Sequence, residues 1–212
     1  RLVGSEMCIR DSKGTDRAVF LDKREFTGPI YTQIEEAVDF VLRNIRLGAT
    51  IDGLVRKEKY ELPPEAIREM IINAHCHRNL LDESCIQVAV YDDRLEVTSP
   101  GGLYNGLTYE EVMNGHSKIR NKGIANIFSQ MGLVEAWGSG IKRILNAAEE
   151  YGLPEPKFQE FDNMFRVELF RNSFPMINEK ENIGEASEKH RRSIGETSEV
   201  AWRTDLNDTQ QK

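Results

Sequence analysis

The sequence predicts an α+β fold: a two-layer sandwich in which a mixed β-sheet carries helices on one face, with a disordered polar C-terminal tail. Three observations point there. Apolar residues recur at helical spacing over 30–47 and again over 63–79. Two β-prone runs flank the acidic pair Asp92-Asp93, which reads as a hairpin. Near the end of the apolar part, 165–170 alternates strictly, with Phe165, Val167 and Leu169 facing inward.

The chain has 212 residues, 39% of them hydrophobic, enough for one sizeable core. A net charge of −7 gives no general electrostatic footprint for nucleic acid. Cys8, Cys76 and Cys85 are scattered and odd in number, which argues for a reducing compartment and against a disulfide framework. No apolar run approaches a membrane span and no signal peptide is visible, so the expectation is a cytoplasmic protein without a membrane partner.

Residues 1–12, RLVGSEMCIRDS, show no period and resemble a translated sequencing-adapter stretch. They are expected to stand outside the fold as a non-native leader; a disordered native leader is the alternative. The region 13–60 is expected to hold the end of a preceding domain and a connecting helix. In that helix Ile30, Ile34, Ala37, Val38, Val41, Leu42 and Ile45 line one face, and Gly48 closes it. Residues 49–60 read as an extended segment or strand.

The next helix, 63–79, opens on Pro63-Pro64 with Glu65 in its first turn, where a proline and an acid suit a helix start. Glu69 and Asn73 lie four apart on one face, and His77 continues that line by a turn. Ile67, Met70, Ile71 and Ala74 form the apolar stripe beside them. Downstream, the hairpin strands 86–91 and 94–98 end in Ser99-Pro100-Gly101-Gly102, where proline stops the ladder and glycines allow close approach. Thr108 and Glu111 make a capping-box pattern for a short helix to Met113. A polar, basic loop with Lys118, Arg120 and Lys122 follows, then a helix over 123–131. Gly138-Ser139-Gly140 opens a last helix through Glu150, whose buried face is Ile141, Ile144, Leu145 and Ala148. Beyond Asn172 a polar tail repeats Ile183-Gly184-Glu185 as Ile194-Gly195-Glu196; it reads as a disordered linker to a missing C-terminal domain.

Three of these pieces can share a site. A carboxylate above a carboxamide can hold a water and a metal–phosphate, although such a pair is also an ordinary solvated helix face. A glycine-rich helix start presents free N–H groups and a positive dipole end to phosphate, although it is also a common turn. The basic loop between them is either a lid over a nucleotide or a plain solvated loop. His75, Cys76 and His77 are consecutive, so on a helix they point apart, and no C-x-x-C partner exists for a zinc site.

The order of these blocks resembles the GHKL, or Bergerat-fold, ATPases. It is closer still to a divergent prokaryotic branch that carries a Schlafen-type AlbA domain and is often labelled RecG-like helicase or transcriptional regulator. The matching text is EAIREMIINAHCHR (65–78), SPGGLYNGLT (99–108), NGHSKIRN (114–121) and VEAWGSGIKRI (134–144), within about 20–170. The resemblance implies an ATP-binding domain over 61–171 that takes ATP and Mg²⁺. Glu69 would be the general base and Asn73 the Mg²⁺ ligand; His77, with Arg78, is either a local structural pair or lies near phosphate. Ser99, Gly101 and Gly102 would lie against base or sugar, Arg120 and Asn121 would belong to the lid, and Gly138, Ser139 and Gly140 would bind phosphate. Where the family reads adenine with an Asp, this chain has Ser99 followed by Pro100, and Lys122 replaces the expected proline of the lid block. No Walker A motif or helicase motor is present, so a RecG label would not confer that activity. DNA would be a partner through flanking domains, and a homodimer is a further assembly the resemblance allows. A degenerate, non-hydrolysing dimerisation or ligand-sensing domain of a transcription factor is the alternative.

Overall fold

The computed structural model describes residues 6–15, 20–52, 55–133 and 139–172. In chain order the elements are β1 (Met7–Ser12), β2 (Phe20–Phe26), α1 (Ile30–Asn44), β3 (Leu47–Asp52), β4 (Val55–Tyr60) and α2 (Pro64–His77). There follow β5 (Ile86–Val90), β6 (Arg94–Pro100), α3 (Tyr109–Met113), α4 (Lys122–Gln130), α5 (Gly140–Glu150), β7 (Lys157–Phe161) and β8 (Met164–Phe170). A six-stranded sheet runs β2-β1-β5-β6-β8-β7, and β3-β4 forms a separate hairpin. The sheet is mixed: β1 and β5 run parallel, and every other neighbouring pair is antiparallel. The α+β sandwich expected from the sequence is what the chain adopts.

Helix α2 is the middle of the core. It packs on β5 and β6 and against α1 and α5. Ala66, Ile67, Met70, Ile71 and Ile72 are all essentially inaccessible. A helix apolar around so much of its circumference must be covered on several sides, and the sheet and two helices cover it. The hairpin joins are local chemistry. Tyr91 donates its N–H to the Arg94 carbonyl at 2.8 Å across Asp92-Asp93. At the β7–β8 turn Asp162 and Asn163 both take positive φ, 46° and 59°, as a type I′ turn demands and as short polar side chains tolerate. Thr108 and Glu111 form the expected capping box of α3. Pro100 is the last residue of β6 and pairs with Met164.

Three expectations need correcting. Residues 7–12 do not stand outside the fold. They are β1, held between β2 and β5, with Met7 and Ile9 wholly buried. Their alternation is too short to read alone, and their partners are distant in sequence: Ile9 pairs with Arg24 and with Val88. Likewise β2 and α1 belong to the same sheet and core as α2, all within a unit of Arg1–Ser173. Finally, α1 stops at Asn44 and Gly48 lies in β3, not in a helix cap. Arg46 and Glu61 exchange backbone and side-chain bonds (2.7 and 3.0 Å) at the base of the β3–β4 hairpin, and this pairing replaces a further helical turn. The second unit, Phe174–Lys212, where the sequence predicts a disordered tail, lies outside the described residues.

The position of β1 is testable. Ile9→Ala removes a fully buried side chain from an inner strand of the sheet and should cost about 2–5 kcal/mol, read as a fall in the urea midpoint. A leader outside the fold would leave the midpoint unchanged.

Candidate functional site

Helical spacing brings Glu69 and Asn73 together on α2, and Asn73 Nδ2 donates to Glu69 Oε1 at 3.2 Å. The other carboxylate oxygen lies 3.6 Å from Arg143 Nη1 on α5. Glu69 is only 6% exposed, and burial pushes its carboxyl above the ordinary range. Arg143, the Asn73 hydrogen bond and Arg68 pull it back, but burial is the largest effect. Gly140, the first residue of α5, sits directly on this pair. A Cβ there would collide with Glu69 Oε1 and come within 2.6 Å of Asn73 Nδ2. Only glycine lets the start of α5 settle against the carboxylate and carboxamide.

At the end of β6 the chain turns through Gly101, with φ 101° and its N–H on the Asn163 carbonyl at 2.7 Å. A Cβ on Gly101 would press on the Arg120 guanidinium at 2.8 Å, and one on Gly102 would strike the Glu160 carboxylate. Arg120 Nη2 donates to the Gly102 carbonyl at 2.6 Å, its guanidinium lies 5.0 Å from the centre of the Tyr104 ring, and Glu160 accepts from the Leu103 N–H at 3.0 Å. The glycines are therefore needed on their outer flank, where two charged side chains brace the turn.

Their inner flank faces a cleft between α2, the sheet and α5. Its inner walls are apolar, including Met70, Val97, Ile141, Ile144, Phe158 and Phe165. Its polar edge carries Asn73, His77, Ser99, Gly101, Gly102 and Gly140, and the loop residues His116, Ser117 and Lys118. The empty space, counted out to the open mouth, is about 860 Å³. Lys118 Nζ donates to the Asn105 carbonyl at 3.0 Å, tying the basic loop to the glycine turn. Burial, and then Arg120, depress the His77 pKa, which favours the neutral imidazole. Ser139, at the N-cap of α5, makes no side-chain capping bond, so the first-turn N–H groups there lack that partner.

Six of the site residues expected from sequence thus line one cleft: Asn73, His77, Ser99, Gly101, Gly102 and Gly140. Glu69 stands behind Asn73 and is not part of the lining. Arg120 is used on the glycine turn. Asn121 is used on α2: its Nδ2 donates to the carbonyls of His75 (3.2 Å) and Arg78 (2.8 Å), and its N–H to that of Cys76 (3.1 Å). It closes the C-terminal carbonyls of the helix that carries Asn73. Gly138 lies outside the described residues. Sequence reasoning missed Arg143 and Glu160, whose only signal was a charge on an otherwise amphipathic element. It also passed over His116 and Ser117 beside the Lys118 it had noted.

Comparison with known proteins covers part of the chain. Residues 83–169 match the family described as "Putative ATP-dependent DNA helicase recG C-terminal", an ATPase-like domain family. The match spans the glycine turn, the basic loop, α5 and the closing strands; α2, with Glu69 and Asn73, precedes it. No curated protein matches the chain. Among solved structures the chain is similar to the DIP2311 protein from Corynebacterium diphtheriae, at 25% identity and a TM-score of 0.69, covering 79% of this chain. The likeness spans 34% of that protein's chain. Among the described residues no helix is long and apolar enough to cross a membrane.

Two measurements probe the seam between α2 and α5. Gly140→Ala forces α5 off the Glu69–Asn73 pair and is expected to lower the melting temperature and abolish ligand binding in the cleft, read by scanning fluorimetry and calorimetry. Glu69 gives a pH signature. Because its folded carboxyl is raised, the folded chain binds that proton more tightly than the unfolded chain. The stability this confers is full at acid pH and is lost as pH climbs through the raised value. Glu69→Gln lacks that loss, so its melting temperature relative to the parent should improve steadily from acid to neutral pH.

Proposed function

We propose that the cleft binds ATP with Mg²⁺, and that the chain is the GHKL-type ATP-binding module of a DNA-associated transcriptional regulator or RecG-like protein of the Schlafen AlbA-domain kind. The observation that carries this reading is convergence. Asn73, Gly101-Gly102 and Gly140, far apart in sequence, line one cleft with apolar inner walls and a polar edge. A planar base suits the Val97, Phe158 and Phe165 end. The triphosphate suits the other, where the start of α5 supplies N–H groups and His116 and Lys118 line the edge. A cationic edge on a chain of net charge −7 favours an anionic ligand.

The residues present fit magnesium. Asn73 commits its Nδ2 to Glu69, which leaves Oδ1 as an oxygen donor. Among the described residues no group of three or more His, Cys, Asp or Glu could hold a metal alone. One side-chain oxygen plus ligand phosphates and waters is the usual magnesium arrangement. The ion would neutralise phosphate charge. Glu69, held beside Asn73, would take a proton from an attacking water that reaches its carboxylate there. The nucleotide would be held by residues within 61–171, in a cytoplasmic protein whose DNA contacts and homodimer contacts would come from elsewhere in the molecule.

A second reading, a non-hydrolysing ligand-sensing or dimerisation domain, is favoured by Ser99 in the base-reading position and by Glu69 lying behind Asn73. Calorimetry with ATP–Mg²⁺ separates the cases. The parent chain should bind and Asn73→Ala should bind at least tenfold more weakly. Binding by neither removes the nucleotide reading, and equal binding by both places the site elsewhere. Binding without phosphate release selects the sensing domain.

A further inference from the structure

Arg143 has no part in the cleft lining, yet its guanidinium lies 3.6 Å from the buried Glu69 carboxylate. We propose that Arg143 is a positioning residue of this site: from the first turn of α5 it fixes the orientation of the Glu69 carboxylate against Asn73. This rests on the ATP-hydrolysing reading above.

The geometry supports it in three ways. A carboxylate on a long side chain turns about a soft terminal torsion, so one contact leaves its plane undefined. Glu69 has two contacts, one per oxygen: Asn73 Nδ2 at 3.2 Å on Oε1 and Arg143 Nη1 at 3.6 Å from Oε2. Together they draw its two oxygens toward different helices, Oε1 to α2 and Oε2 to α5. Next, Arg143 is indexed to the helix start itself, since its N–H donates to the Ser139 carbonyl at 2.9 Å. The turn that carries Gly140 onto the pair therefore also delivers the guanidinium. Last, the same helix places Ile141 and Ile144 in the cleft wall. Docking of α5 thus sets the apolar wall, the N–H groups at its start and the orientation of the carboxylate in one step. A lysine at 143 would bring the charge without the planar fork, and a methionine would keep most of the stem without the charge.

The test uses the full chain with Arg143→Met and Arg143→Lys. Arg143→Met should bind ATP–Mg²⁺ within about twofold of the parent while turnover falls about tenfold, the pattern of an interaction felt only at the chemical step. Arg143→Lys should recover part of the lost turnover. In the Glu69→Gln background the Met substitution should cost nothing further, because its target is gone. A second readout does not depend on hydrolysis. The Asn73 side-chain amide, observed by ¹⁵N NMR without nucleotide, should shift in Arg143→Met as its bond to Glu69 loosens. Unchanged turnover with an unmoved amide signal overturns the proposal. So does a loss of affinity that matches the loss of turnover, which would make Arg143 a phosphate contact. If the parent binds ATP but does not turn it over, the hydrolytic reading falls and the amide signal alone decides: a shift upholds the orienting contact and an unmoved signal rejects it.

Discussion

The contact of Gly140 with the Glu69–Asn73 pair is the constraint on which the site depends. Two helices that must meet over a carboxylate and a carboxamide need a residue without a side chain at the point of approach, and α5 starts on one. The polar pair is covered, the start of α5 reaches the cleft, and Ile141 and Ile144 follow into its wall. A larger residue would separate the helices, and the buried polar atoms would lose their cover and the cleft its wall.

The carboxylate under that seam is costly to bury, and the surrounding groups only partly offset the cost. Glu69 keeps one oxygen on Asn73 and turns the other to Arg143. An apolar residue in its place would suit a core position better, so a charge retained here fits a chemical use more readily than a packing one. The cleft in front of it divides by chemistry. Its inner wall is made by strands and helices whose apolar faces meet the core, while its edge is made by loops, which carry the polar and basic groups.

The loop ahead of α4 makes contacts that its sequence does not suggest. Its basic residues read as a lid, and His116, Ser117 and Lys118 do border the cleft. Its last two members are anchors. Arg120 braces the glycine turn through the Gly102 carbonyl, and Asn121 ties off the end of α2. Both act on backbone carbonyls distant in sequence, and a charge or amide on a polar loop carries no sign of such a target.

What the sequence by itself determined is whatever repeats over short range. Helical period marked α2 and placed Glu69 and Asn73 on one face; turn chemistry marked the β5–β6 hairpin; the capping box marked α3. These depend on neighbours within a few residues, and local sterics and hydrogen bonding suffice to specify them. Tertiary structure alone decided the rest. It made Met7–Ser12 an inner strand, because a short run of alternating residues gains its burial only from β2 and β5 on either side. It ended α1 early, because Arg46 and Glu61 could pair. It also set Arg143 and Gly140 on the Glu69–Asn73 pair, since the meeting of two helices about seventy residues apart is fixed by the core that packs them, and no local pattern encodes it.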